Sequence, residues 1–188
     1  MSRDVLNQLA DENLIAIRCA ADQWPRGLLS STPIPDKWHG LIVTADGRRR
    51  YAPAGEEPRL ERGDRLLLVR NRPLTVPVRV EDCESADGDA VEGVCELILR
   101  WKADENELAA LGEALLDGDM LTLDQLARRV VAGGAQAGVE QFVRTAKAAD
   151  LLRSGVAEEL FAALRDSLKR FCFETGATIE RVASAAFE

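Results

Sequence analysis

The chain has 188 residues, 46% of them hydrophobic and 30% charged, a composition typical of a soluble globular protein with one core or two closely joined subdomains. Its formal net charge of −8 argues against partners that need a basic surface, namely nucleic acid or an anionic membrane leaflet. No uncharged apolar run approaches the roughly 18 residues that a membrane-spanning helix requires.

The N-terminal segment is predicted to form a short amphipathic helix over residues 2–17. Its apolar residues fall close to one helical face: Val5, Leu6, Leu9, Ala10, Leu14 and Ile17. The polar face is acidic rather than lysine-rich, which favours docking onto the protein itself or onto a partner over lying on a membrane. Acidic residues also stand where a secretory signal peptide carries basic ones, so the sequence does not predict secretion.

A proline-rich linker is predicted to follow the helix, up to about residue 37, because Pro25, Pro33 and Pro35 disfavour regular structure. From Gly40 the pattern changes to short apolar runs that predict strands, with a hairpin turn at Asp46-Gly47. The run from Leu74 to Val80 alternates apolar and polar residues, which indicates one buried face. Pro77 cannot donate to a strand ladder and therefore predicts an edge position or a bulge.

The acidic stretch SADGDAVEG, residues 85–93, could be read as a cation site or as a turn. Asp87-Gly88 tolerates positive φ angles and predicts a hairpin turn, whereas the ligand spacing of a calcium loop is lacking. The same interpretation holds for Asp117 to Asp119. The basic run Arg48 to Arg50 is interpreted as a solvated strand end rather than a nucleic-acid site.

The sequence after Trp101 is predicted to be helical. Asp104 can cap one helix, and Thr122 opens a second that is either one long helix or a helix broken near Gly133-Gly134. These glycines lack the lysine and hydroxyl of a phosphate loop, so close packing against a sheet or a neighbouring subunit explains them better.

A closing helix is predicted over residues 156–175, ended by Gly176 and followed by a final strand. Its apolar stripe consists of Val156, Leu160, Leu164, Leu168 and Phe171. The predicted fold class is therefore α+β: a largely antiparallel sheet in the first half, packed against two to four helices, with a closing C-terminal strand that joins the earlier sheet.

Several segments resemble the SPFH (Band 7, prohibitin-homology) domains of stomatins, prohibitins and flotillins. They are the opening turn and strand IPDKWHGLIVTADGR with Gly40, the two-strand segment with a turn at Ser85, Asp87 and Gly88, and the closing helix with Gly176 before a strand holding Ile179 and Val182. The resemblance divides the chain into an N-terminal helix and linker (1–36) and an SPFH-like domain (37–188), β-rich over 37–101 and helical with a last strand over 102–188.

The resemblance implies a non-enzymatic scaffold that self-associates and organises partner proteins, with peripheral membrane association and a cytoplasmic location. It implies no catalytic, cofactor-binding or metal-binding residues, no small-molecule substrate and no nucleic acid. The glycine-containing helix and the closing helix are the expected interface. Two origins stay open: an excised domain of a longer protein that carries the anchor and coiled coil, or a free-standing variant.

Two other classes of function are alternatives to the scaffold. A cysteine-dependent enzyme would use Cys172 or Cys95 as nucleophile and His39, the one histidine, as base. None of the four cysteines, which include Cys19 and Cys83, forms a CxxC pair, and all are interpreted as reduced core thiols. The third class is a soluble monomeric adaptor that binds a protein along an exposed strand edge.

Overall fold

The computed structural model describes residues 3–25 and 31–188, with the backbone alone for residues 3 and 4. The predicted linker therefore lies partly, at residues 26–30, outside the described residues. The described chain up to Arg72, together with Trp101–Asp124, forms one compact unit, and Pro73–Arg100 with Gln125–Glu188 forms a second.

The fold class is α+β, as the sequence predicts, and the strands make two antiparallel sheets. The first unit holds a five-stranded sheet in the order β3-β2-β4-β1-β7. Its strands are β1 (Leu14–Ala20), β2 (Trp38–Val43), β3 (Arg49–Ala52), β4 (Arg65–Arg70) and β7 (Met120–Thr122). The predicted turn at Asp46-Gly47 joins β2 to β3, with φ of 85° at Gly47.

The predicted N-terminal helix is wrong in its extent. Helix α1 (Arg3–Gln8) ends early, and Leu14 and Ile17 belong to strand β1, which lies between β4 and β7. Four consecutive residues at the start of β1 are buried. Because successive side chains of a strand point to opposite faces, both faces of β1 are apolar and covered. Docking of the helix onto its own protein is confirmed, since Val5 and Leu9 lie in the core cluster of the first unit.

Arg70 of β4 forms hydrogen bonds with the backbone between α1 and the start of β1. Its guanidinium group stacks 4.5 Å from the centre of the Trp38 ring and donates hydrogen bonds to the backbone oxygens of Leu14, Leu9 and Asp11. The side chain is buried, and these acceptors replace the water it loses.

Helix α2 (Glu105–Ala114) packs against strands β2, β3 and β4. The predicted cap is confirmed, because the Asp104 carboxylate accepts hydrogen bonds from the backbone N–H groups of Asn106 and Glu107 at 2.9 and 3.0 Å. Gly112 lets the helix approach closely, since a Cβ atom there would lie 2.8 Å from a methyl group of Leu67.

The second unit is built on a three-stranded sheet in the order β5-β6-β8. Strands β5 (Leu74–Glu84) and β6 (Ala90–Arg100) form a hairpin, and the closing strand β8 (Thr178–Phe187) pairs with β6. Two predictions are confirmed: β5 alternates between buried and exposed residues from Leu74 to Val80, and Pro77 lies on an edge strand.

The chain from Leu123 to Thr175 is divided into short helices. They are α3 (Leu123–Val130), a π-helical turn (Val131–Ala135), α4 (Gln136–Thr145), α5 (Ala148–Leu151), α6 (Val156–Ser167) and α7 (Lys169–Thr175). Of the two alternatives for the glycine-containing helix, the broken helix is the one observed, with φ of 122° at Gly134. The predicted closing helix is interrupted at Leu168 and ends at Gly176, whose φ is 70°.

Candidate functional site

The acidic stretch of residues 85–93 forms the predicted hairpin turn between β5 and β6. Ser85 organises it: its hydroxyl donates to the Asp87 carboxylate at 2.8 Å and accepts from the backbone N–H of Asp89 at 3.0 Å. Gly88 adopts the positive φ of 87° that the turn needs. In the described part of the chain, no group of three or more His, Cys, Asp or Glu side chains is arranged to hold a metal ion.

The turn is held against the helical part of the second unit. The Asp87 carboxylate accepts a hydrogen bond from the backbone N–H of Ala148, at the start of α5, at 2.9 Å. The backbone N–H of Ala86 donates to the Ala146 oxygen, also at 2.9 Å. The hydrogen bond from Ala148, followed by that from Ser85, lowers the pKa of Asp87. The carboxylate therefore connects two segments of the fold.

The three arginines at residues 48–50 lie at the start of β3, and each pairs with a carboxylate: Arg48 with Asp46, Arg49 with Glu113, and Arg50 with Glu56. This confirms the interpretation as a solvated strand end. An exposed ion pair contributes little to stability, but here each acid lowers the local positive charge that a phosphate backbone would require.

The candidate base of the enzyme alternative has a hydrogen-bond partner, and the candidate thiols of Cys95 and Cys172 are buried and half-buried. His39 Nδ1 lies 2.8 Å from the Tyr51 hydroxyl within the first unit. Burial raises the pKa of Cys19 to about 12 and of Cys95 to about 11, and it also raises the pKa of the half-buried Cys172. A nucleophilic cysteine needs the opposite shift, because the thiolate is the reactive form.

The glycines of the expected interface pack within the second unit. A Cβ atom at Gly133 would lie 2.7 Å from the Phe171 ring, and one at Gly138 would lie 2.3 Å from the Ser167 hydroxyl. These glycines therefore allow the π-helical turn and α4 to contact α6 and α7 of the same chain. The predicted close packing is confirmed, but the residues that these two glycines meet lie on helices of the same chain rather than on a sheet.

Phe173 on α7 is the most exposed large hydrophobic residue of the described chain, at 87%, followed by Leu152 at 68%. All five members of the predicted stripe of the closing helix are buried. Phe173 follows Phe171 by two positions, about 200° around a helix, which places it on the opposite face. The FCF sequence carries this signal, but the predicted stripe of the closing helix ended at Phe171, and the exposure of Phe173 was not predicted.

Within the described chain, no helix is both long enough and apolar enough to cross a lipid bilayer. No protein-family model matches the chain, and no curated protein matches it.

Proposed function

We propose that the chain is a non-enzymatic scaffold domain of the SPFH type, which associates with copies of itself and organises partner proteins. The observation that carries the proposal is the path of the chain through the second unit. A hairpin with the turn at Ser85, Asp87 and Gly88 is followed by helices, by the terminator Gly176 and by a last strand that returns to β6. This order of elements agrees with the order that the SPFH resemblance implies.

Phe173 supports self-association, because a scaffold needs an accessible contact surface. Burying a phenylalanine side chain is worth about 1.5–3 kcal/mol, and at 87% exposure almost none of that is gained within one chain. Leu152 is a second exposed apolar residue of the same unit. The proposed contact surface is therefore the exposed face of α7 rather than the glycines, which α6 and α7 already cover.

Sedimentation velocity over a concentration range from about 1 µM to about 1 mM, where weak association is populated, tests the proposal. We expect the mean sedimentation coefficient to rise with concentration and Phe173→Ser to abolish the rise. Val94→Ser is the matched control, since Val94 is a less exposed apolar residue, at 39%, of the same unit. A monomer at every concentration would contradict the proposal.

A second candidate is a monomeric adaptor that binds an extended peptide along β5. It is favoured by the position of β5 at the edge of its sheet, since exposed edges accept an added strand. Pro77 removes one N–H group from that edge, so the peptide would pair mainly on either side of it. Concentration-independent sedimentation together with peptide binding would favour the adaptor over the scaffold.

The SPFH resemblance also leads us to place the protein in the cytoplasm, at the cytoplasmic face of a membrane. Scattered cysteines without CxxC spacing agree with a reducing compartment. We propose no catalytic step, because the thiols with raised pKa values are protonated at neutral pH.

A further inference from the structure

A cavity of about 200 Å³ in the first unit is lined by three arginines, Arg18, Arg49 and Arg65. They reach it from neighbouring parts of one sheet: Arg49 of β3 and Arg65 of β4 both pair with Val43 of β2, and Arg18 of β1 pairs with Leu67. The end of α2, with Gly112 and Glu113, closes one side. The cavity therefore lies wholly within one compact unit.

The cavity has an excess of positive charge. Glu113 is the one acid among its lining residues, so the lining carries three guanidinium groups and a single carboxylate, an excess of two positive charges. This contrasts with the chain as a whole, whose net charge is −8. Positive charge concentrated in a concave site raises the local concentration of anions.

The three arginines differ in the hydrogen bonds and ion pairs that their guanidinium groups make within the protein. Arg18 donates one hydrogen bond to the Gly112 oxygen at 2.6 Å, at the C-terminal end of α2 where a cation is favoured. Arg49 pairs with Glu113, but both side chains are substantially exposed, at 42% and 68%. Arg65 has no side-chain acceptor among the residues that the structure describes. Most of the N–H donors around the cavity are thus available.

From this arrangement we infer that the cavity binds a phosphate group, either a dissolved phosphate or the head of a phosphomonoester lipid. Guanidinium groups match phosphate oxygens with paired, charge-assisted hydrogen bonds. A phosphate monoester carries about −1.5 to −2 charge at neutral pH, which balances the two excess positive charges, whereas a single carboxylate balances one. The volume suits a small anion rather than a drug-sized ligand, whose pockets hold roughly 300–1,000 Å³.

Glu113 forms an ion pair with Arg49 and would compete with the phosphate for this guanidinium group. Such an exposed pair is weak, so an incoming dianion can displace the carboxylate. Removing the charge of Glu113 should therefore strengthen binding, while removing Arg65 should weaken it. General electrostatics would give the same two directions, so a site is distinguished by an effect of Arg65 that exceeds the effect of an arginine just outside the cavity.

The test is a titration of the full chain with inorganic phosphate at pH 7.5 and constant ionic strength, followed by amide and guanidinium NMR shifts. We expect shifts centred on Arg65 and Gly112, an affinity lowered about tenfold by Arg65→Ala, and one raised about threefold by Glu113→Gln. Arg48→Ala is the matched control: it removes the same charge from the neighbouring basic run but lies outside the cavity, and it should change the affinity less than about twofold.

Sedimentation with phosphatidylcholine vesicles that contain either phosphatidic acid or phosphatidylserine distinguishes the two sources of phosphate. Binding of inorganic phosphate that depends on Arg65 supports a dissolved ligand. Preference for phosphatidic acid vesicles that Arg65→Ala removes, without binding of inorganic phosphate, supports a lipid head group. The proposal is overturned if neither probe binds, or if binding is equal in Arg65→Ala and the wild-type protein.

Discussion

Gly134 is the residue at which the long glycine-containing helix changes direction. Its φ of 122° is in a region that other residues rarely adopt, and a Cβ atom there would lie 2.7 Å from the backbone oxygen of Ser167. We expect Gly134→Ala to lower the free energy of unfolding by about 3 kcal/mol, because backbone strain and a steric clash add. Urea unfolding followed by far-UV circular dichroism measures the change.

Gly155 provides the control for this prediction. It lies in the same unit with φ of 97°, but nothing lies within 4 Å of the position of its Cβ atom. Gly155→Ala should therefore cost only the backbone strain, about 1 kcal/mol. Equal destabilisation by both variants would show that the contact with Ser167 has no part in the packing of α6.

The buried thiols of Cys19 and Cys95 should make the protein less stable in alkali. Their pKa values in the fold, about 12 and about 11, exceed the ordinary value of 9.0. Above pH 9 the unfolded chain releases these protons and the folded protein keeps them, so stability is complete below pH 9 and falls as the pH rises towards 11–12. At pH 10 we expect a loss of about 1 kcal/mol for each thiol.

The measurement is urea unfolding at several pH values from 8 to 10, with the double variant Cys19→Ala, Cys95→Ala as reference. Since tyrosine and lysine titrate in the same range, the difference between the two proteins isolates the thiols. The variant starts less stable, because both side chains are buried, but its stability should fall less with pH. Parallel pH profiles would show that the thiols do not carry the effect.

At the scale of elements, the β5-β6 hairpin is joined to the start of α5 through Asp87. We expect Asp87→Asn to speed hydrogen exchange at the Ala148 amide, because a neutral side chain is a weaker acceptor than a carboxylate. Asp89→Asn is the control, since Asp89 takes part in the turn through its backbone. Unchanged exchange at Ala148 in Asp87→Asn would contradict the role of this carboxylate.

Acid should have the same effect as the substitution. The pKa of Asp87 is lowered from 3.8 by the hydrogen bonds from Ala148 and Ser85. Its stabilising contribution is therefore complete above pH 3.8 and disappears as the pH falls through the lowered value. Protection of the Ala148 amide should decrease over this range in the wild-type protein and stay constant in Asp87→Asn.

The elements that the sequence predicted correctly are those specified by local signals. The Asp87-Gly88 turn, the Asp104 cap and the Gly176 terminator each depend on residues within a few positions. The prediction for the segment of β1 was wrong, because its apolar residues happen to continue the helical spacing of Val5 and Leu9. Its true state is decided by pairing with Leu66–Val69 and with β7, about 50 and 100 residues away.

The arginine cavity could not be predicted for a similar reason. Arg18, Arg49 and Arg65 are far apart in the sequence. Arg49 belongs to a basic run, but the other two arginines of that run pair with carboxylates outside the cavity. Only the order of strands in the first sheet brings the three side chains to one cavity. A local pattern of charges carries no information about such an arrangement.

At the scale of the whole molecule, the net charge of −8 opposes the self-association that we propose. Two copies repel each other at low ionic strength, and salt shortens the range of this repulsion to about 10 Å at 0.1 M and about 3 Å at 1 M. The contact proposed through Phe173 is apolar and would not be weakened by screening. We therefore expect sodium chloride, raised from about 0.02 M to about 0.5 M, to increase the weight-average mass at fixed protein concentration.

Phe173→Ser should remove this increase, whereas Phe173→Leu, which keeps an apolar side chain, should retain most of it. Sedimentation equilibrium measures the mass in each condition. Association that weakens as salt is added would mean that opposite charges, rather than the exposed face of α7, hold the copies together. The contact would then involve exposed arginines and acids, and the position of Phe173 would have to be explained by a different partner.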